Sequence, residues 1–116
     1  MPKPRNHALF VRDMREAADR IATYVEGYDF ASFRADQRTV DAVLRNFEIL
    51  GEASARVPPD MQALGPDIDW RGIKDFRNVI VHFYAGIDLE LVWDLIDKRL
   101  PQLRADLANL AGRVDS

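Results

Sequence analysis

The chain has 116 residues, 47% of them hydrophobic and 30% charged, with a formal net charge of -3 and a pI near 5.3. This length supports one hydrophobic core, so 1–116 is read as a single domain, and a cleft is built more readily between two copies than inside one. The acidic balance excludes coating of nucleic acid by overall charge, and the absence of cysteine excludes disulfides, thiolate metal sites and thiol nucleophiles while fitting a reducing cytosol.

The opening Met1-Pro2-Lys3-Pro4-Arg5 leads into a charged stretch without an apolar signal-peptide core. No run approaches the roughly 20 apolar residues of a membrane span, and a cytoplasmic protein is expected. From His7 to Tyr28 the apolar residues Phe10, Met14, Ala17, Ile21, Val25 and Tyr28 recur at steps of three and four, which predicts a long amphipathic helix. The region from Gly27 to Ser32 breaks that pattern. Asp36 is a suitable cap for a second helix with the stripe Val40, Val43, Leu44, Phe47, Leu50, Ser54 and Val57, ended by Pro58-Pro59.

Residues 60–69, with Gly65-Pro66 inside them, read as a loop with one short helical turn. Asp69 then caps a third helix from Trp70 to about Tyr84, interrupted near Gly86. A last helix capped by Asp88 follows, with Leu91, Leu95, Leu103, Leu107 and Leu110 inward, and Pro101 is expected to kink or split it because it lacks an amide donor and clashes with the preceding turn. Four principal helices, with an extra short helix or kink, describe an all-α bundle.

At about 100° per residue, Ile73, Phe76, Ile80 and Phe83 share one side of the third helix, its expected core face. Arg71, Asp75, Asn78 and His82 gather on another, and Arg77 and Tyr84 lie nearly in line on a seam between the two. Geometry alone favours the solvated polar face of a surface helix over a site.

The string Arg77-Asn78-Val79-Ile80-Val81-His82-Phe83-Tyr84 resembles the RNxxxHxY signature, an R-x4-H-x-Y pattern, of HepT-like toxins in the HEPN superfamily. The resemblance extends to Ala42-Val43 and Gly51-Glu52-Ala53 in the second helix, to Ile68-Asp69-Trp70 before the motif, and to Ile87-Asp88 and Val92-Trp93 after it. It implies an HEPN-like helical bundle, a homodimer, and an endoribonuclease that works without metal or cofactor. Metal-free RNA cleavage needs a group to move the proton of the 2'-hydroxyl, a charge to stabilise the phosphorane, and an acid for the leaving oxygen. The resemblance assigns catalysis to Arg77 and His82: an imidazole titrates near neutral pH, and a guanidinium donates two hydrogen bonds to phosphate oxygens while staying charged. Asn78 has a supporting role toward a phosphate or His82, and Arg71 and Lys74 extend the RNA-binding surface. Asp75 orients His82 or balances charge, Trp70 is a packing anchor, Gly51 permits close helix packing, and Glu52 is given no chemistry. Systems of this type pair the toxin with MntA, a nucleotidyltransferase antitoxin that transfers AMP from ATP to the motif tyrosine, here Tyr84, which places a phosphate beside Arg77.

Two other functions compete. A non-catalytic HEPN module would bind a nucleotide or a nucleotidyltransferase partner and only present Tyr84, and a plain helical interaction protein would leave the motif unexplained.

Overall fold

The computed structural model describes residues 6–114. The opening residues, on which the signal-peptide reading rests, lie outside the described residues. The helices are α1 (Ala8–Tyr24), α2 (Phe30–Ala35), α3 (Gln37–Ala55), α4 (Pro59–Gln62), α5 (Trp70–Phe83), α6 (Leu89–Asp94) and α7 (Leu100–Val114), with no strand among the described residues. No described helix is long and apolar enough to cross a membrane.

α1 packs against both α3 and α7, and α3 in turn carries α5 on its other side. The resulting body is elongated, 50 × 27 × 22 Å. Every member of the predicted α3 stripe is buried, from Val40 through Phe47 and Leu50 to Ser54 and Val57. This is what an amphipathic helix with neighbours on two sides must do, since both flanks of its apolar stripe are removed from water. Met14, Ile21, Leu44, Ile80, Leu107 and Leu110 complete the centre.

The first predicted helix ends at Tyr24 rather than Tyr28, and Gly27 takes φ 80° to turn the chain. Asp29 then starts α2 with a capping box: its carboxylate accepts from the Ser32 amide at 2.8 Å and the Ser32 hydroxyl accepts from the Asp29 amide at 2.9 Å. Six residues show no periodicity, yet they deliver Phe33 to the core, where it stacks on Trp93 with ring centroids 5.3 Å apart. Asp36 caps α3 as expected, accepting from the Thr39 amide at 3.2 Å, and also accepts from the Tyr28 hydroxyl at 2.6 Å. The Tyr28 hydroxyl, followed by the Thr39 side chain and amide, holds the Asp36 carboxyl below the usual carboxylate range.

α3 stops at Ala55, ahead of the prolines, and Pro59 occupies the first turn of α4, the short helical turn expected in that loop. The predicted interruption of the last helix lies just before Pro101. Residues Leu95–Arg99 form a π turn in which the Leu100 amide donates to the Leu95 carbonyl, so the extra residue absorbs the mismatch that a proline ring imposes on the turn before it.

Two expected core positions are corrected. Leu91 is 45% exposed, while Val92, Ile96 and Leu100 point inward. These three recur every four residues in phase with Leu107, and Leu91 lies about 100° away from Val92. Phe83 is 65% exposed. The backbone leaves helical geometry at this residue (φ -130°, ψ 27°) and enters the 3-10 turn Tyr84–Gly86, which takes the ring off the azimuth extrapolated from Ile80.

Asp36→Ala removes the α3 cap and the Tyr28 partner together, so its Tm is expected to fall at neutral pH. The folded-state pKa of Asp36 is lowered, so its contribution is present above the unfolded value and lost as pH falls through the folded one. Circular dichroism melts should show the gap between variant and parent closing in acid, and an equal gap at every pH would contradict this account.

Candidate active site

Asp69 begins the motif helix by accepting the Gly72 amide at 2.9 Å, and the Trp70 indole donates to the Gly65 carbonyl at 3.0 Å. The loop ahead of α5 is thereby tied to its first turn, and Trp70 acts as the anchor expected of it. Downstream, Phe76 meets Phe47 edge to face, with ring centroids 5.1 Å apart and planes at 82°, and Ile80 is fully buried. These contacts set the azimuth of α5 on α3, and with it the direction of every motif side chain.

Arg77 emerges on the side facing α3. A Cβ added to Gly51 would lie 2.3 Å from Arg77 Cβ and 2.6 Å from its Cγ, so Gly51 is the gap through which the arginine stem passes. At the far end the Arg77 Nη2 sits 3.9 Å from Glu52 Oε1 and its Nη1 donates to Asn78 Oδ1 at 3.4 Å. The Nε is buried and has no hydrogen-bond partner, whereas the side chain as a whole keeps 37% of its surface exposed.

Tyr84 is also tied to α3, but two to three turns away from Arg77. Its hydroxyl donates to Asp41 Oδ1 at 3.0 Å. Partial burial, followed by the Asp41 hydrogen bond and the charges of Asp41 and Glu48, raises the phenol pKa above its ordinary value, so at neutral pH it is a neutral donor. Since Asp41 and Glu52 are about 16 Å apart along α3, the polar ends of Tyr84 and Arg77 answer to different carboxylates.

His82 is exposed in the last turn of α5, with Phe83 beside it at 6.5 Å between ring centroids. Its azimuth is about 140° from that of Arg77. Asn78 bonds to Arg77, and among the described residues no hydrogen bond joins it to His82. Arg71 and Lys74 are exposed one to two turns earlier; Arg71 pairs loosely with Asp75 at 3.9 Å, a surface contact worth little. Asp75 therefore faces Arg71 rather than His82. No group of three or more potential metal ligands occurs among the described residues. A groove of about 230 Å³ between α5 and α7, walled by Phe47, Ile73, Phe76 and Leu103, touches none of the motif's polar residues.

Asp41 and Glu52 were not singled out as site residues from the sequence. Their signal is the spacing Asp41, Arg45, Glu48, Glu52, a charged row at steps of four, three and four that helical geometry aligns along one edge of α3. Nothing in that row names the helix it will meet.

Gly51→Ala tests the close approach. In an unobstructed helix Gly→Ala stabilises by up to about 1 kcal/mol, as is expected at Gly112, where an added Cβ meets nothing within 4 Å. At Gly51 the methyl would have to displace Arg77 or part the helices, a cost of about 1–3 kcal/mol. Denaturant unfolding should give opposite signs for the two variants, and a stabilised Gly51→Ala would contradict the packing described.

The family described as Ribonuclease HepT-like matches residues 14–110. The chain is 33% identical over 106 residues to a protein named Probable ribonuclease HepT in Thermococcus cleftensis, covering 91% of this chain and 96% of that one. It is 33% identical over 101 residues to MJ0127 of Methanocaldococcus jannaschii, which carries an RNase name, covering 87% and 83%. An RNase-named protein of Caldanaerobacter subterraneus, TTE0752, is 28% identical over 86 residues, covering 74% and 77%. No solved structure gives a significant match. A family match spanning most of the chain, relatives matched along most of their length, and the motif carried on α5 and the turn after it agree: this chain belongs to the HepT-like ribonuclease family.

Proposed function

We propose that the protein is a metal-independent endoribonuclease, the toxin of a toxin-antitoxin pair, in which Arg77 and His82 carry the chemistry. The observation that carries this reading is the contrast between the two side chains on one helix. The Arg77 stem is fixed over Gly51 with its charge at the surface, while His82 is open to solvent on the last turn. In the proposed reaction His82 moves the 2'-hydroxyl proton as the 2'-oxygen attacks the adjacent phosphorus. Arg77 stabilises the charge that builds on the phosphorane oxygens. The leaving 5'-oxygen takes a proton, which the second imidazole of a dimer could supply.

Two features support a two-fold dimer as the working unit. Arg77 and His82 of one chain point about 140° apart, so facing pairs from two chains surround a phosphodiester better than one pair does. The end of the motif helix also exposes Val81 (49%) and Phe83 (65%), an apolar surface suited to a second copy. Arg71 and Lys74 extend the path for RNA phosphates, and Asn78 steadies Arg77.

Tyr84 is the proposed regulatory site. It is 43% exposed, and its phenolic proton already points at Asp41. In AMP transfer by an MntA-like nucleotidyltransferase the phenol oxygen bonds to the α-phosphorus of ATP, pyrophosphate leaves, and the phenolic proton passes to a base. The added AMP would stand in the path of RNA at the exposed end of the motif helix and obstruct it by bulk and by charge.

The primary test incubates RNA with the purified parent, Arg77→Ala and His82→Ala in the presence of a chelator. The parent should cleave, both variants should lose about 10²-fold or more in rate, and circular dichroism should show the same helical content in all three. Parent-like cleavage by His82→Ala would overturn the assignment, as would complete inhibition of the parent by the chelator. Separately, with a nucleotidyltransferase partner and ATP, the intact mass of the parent should rise by AMP units and that of Tyr84→Phe should not; an equal rise in both places the modification elsewhere.

A further inference from the structure

We propose that Glu52 is a positioning residue for Arg77: its carboxylate biases the direction of the guanidinium across the α3–α5 interface, where the buried Nε leaves only the terminal Nη1–Nη2 edge open to a phosphate. The inference rests on the reading of Arg77 as the phosphate-binding cation and adds to it the residue that aims that cation.

The pairing is one that local helix chemistry would not select. Glu52 has Arg56 four residues further on, at the C-cap of the same helix, the spacing at which glutamate and arginine ordinarily pair. Arg56 instead lies over the Phe10 ring, 5.8 Å from its centroid, and Glu52 turns to Arg77 on another helix. The stem of Arg77 is already confined by the missing Cβ of Gly51, so its remaining freedom lies in the last torsions, which is where Glu52 and Asn78 act.

A guanidinium can meet an oxyanion with two parallel hydrogen bonds through its Nε–Nη edge or through its Nη1–Nη2 edge. The buried Nε closes the first. The second remains at the surface, and its two protein contacts, at 3.9 and 3.4 Å, are long for hydrogen bonds. Glu52 thus directs the group by charge without saturating its donors, and an incoming phosphate can take them without breaking a tight ion pair. The same carboxylate repels the phosphate, so it weakens ground-state binding while favouring the geometry needed in the transition state.

These opposed effects give a signature that a structural ion pair would not. Glu52→Gln keeps shape and removes charge, at a side chain with 44% of its surface exposed. With a defined oligoribonucleotide, kcat is expected to fall about tenfold while KM stays the same or decreases, with Tm close to that of the parent. Glu52→Asp, which keeps the charge on a shorter arm, should recover part of kcat, and it serves alone if Glu52→Gln does not fold. If Glu52→Gln retains parental kcat, or loses kcat with a raised KM and a lowered Tm, the positioning role is overturned. Arg77→Ala is measured alongside: its inactivity with an unaffected Glu52→Gln would reject this inference alone, whereas parent-like cleavage by Arg77→Ala would reject the function on which it rests.

Discussion

The close approach of α3 and α5 at Gly51 and Arg77 is the constraint on which the site depends. The separation of two packed helices follows the size of the side chains at their contact, and here one of the two contributes no side chain at all. An arginine stem can then lie in the interface while its charged end reaches the surface. Any side chain at Gly51 would have to displace the Arg77 stem or widen the spacing of the two helices.

Placing a cation at the edge of a core has a cost. The buried Nε of Arg77 forgoes a hydrogen bond, worth about 1–3 kcal/mol when a donor is left unsatisfied. The neighbouring contacts offset it: complete burial of Ile80 contributes about 1.5–3 kcal/mol, and the Phe47–Phe76 edge-to-face pair adds about 0.5–1.5 kcal/mol beyond its area. Apolar packing at Phe76 and Ile80, one residue before and three after, therefore holds a polar group in a place it would not choose alone. Unsatisfied groups of this kind are uncommon in folded proteins, and a chemical role is one of the accepted reasons for them.

The far end of the motif is organised differently. After Ile80 the helix contributes no further buried residue, and the chain passes through a 3-10 turn with Val81, His82, Phe83 and Tyr84 exposed. The hydrogen bond from Tyr84 to Asp41 ties this segment back to α3. The stem of Arg77 is thus confined and Tyr84 accessible, a division that suits the roles proposed for them, transition-state stabilisation for one and modification for the other.

What the sequence determined by itself was whatever depends on near neighbours. The apolar stripe of α3, the caps at Asp36, Asp69 and Asp88, the disturbance before Pro101 and the motif string are all local patterns, because periodicity, capping and proline geometry act within a few residues. The six residues of α2 were too few for a period, and the inward face of the last helix was misplaced at Leu91 because several leucines offered competing stripes. The exposure of Phe83 followed from a backbone change at a single residue, which no side-chain pattern encodes. The partners of the motif were decided by tertiary structure alone. Asp41 lies 43 positions from Tyr84, and Glu52 is likewise on a different helix from Arg77. Glu52 also had a nearer arginine in Arg56. Which cation it would face depended on how closely α5 settles against Gly51, a distance fixed by the packing of two helices and carried by neither one.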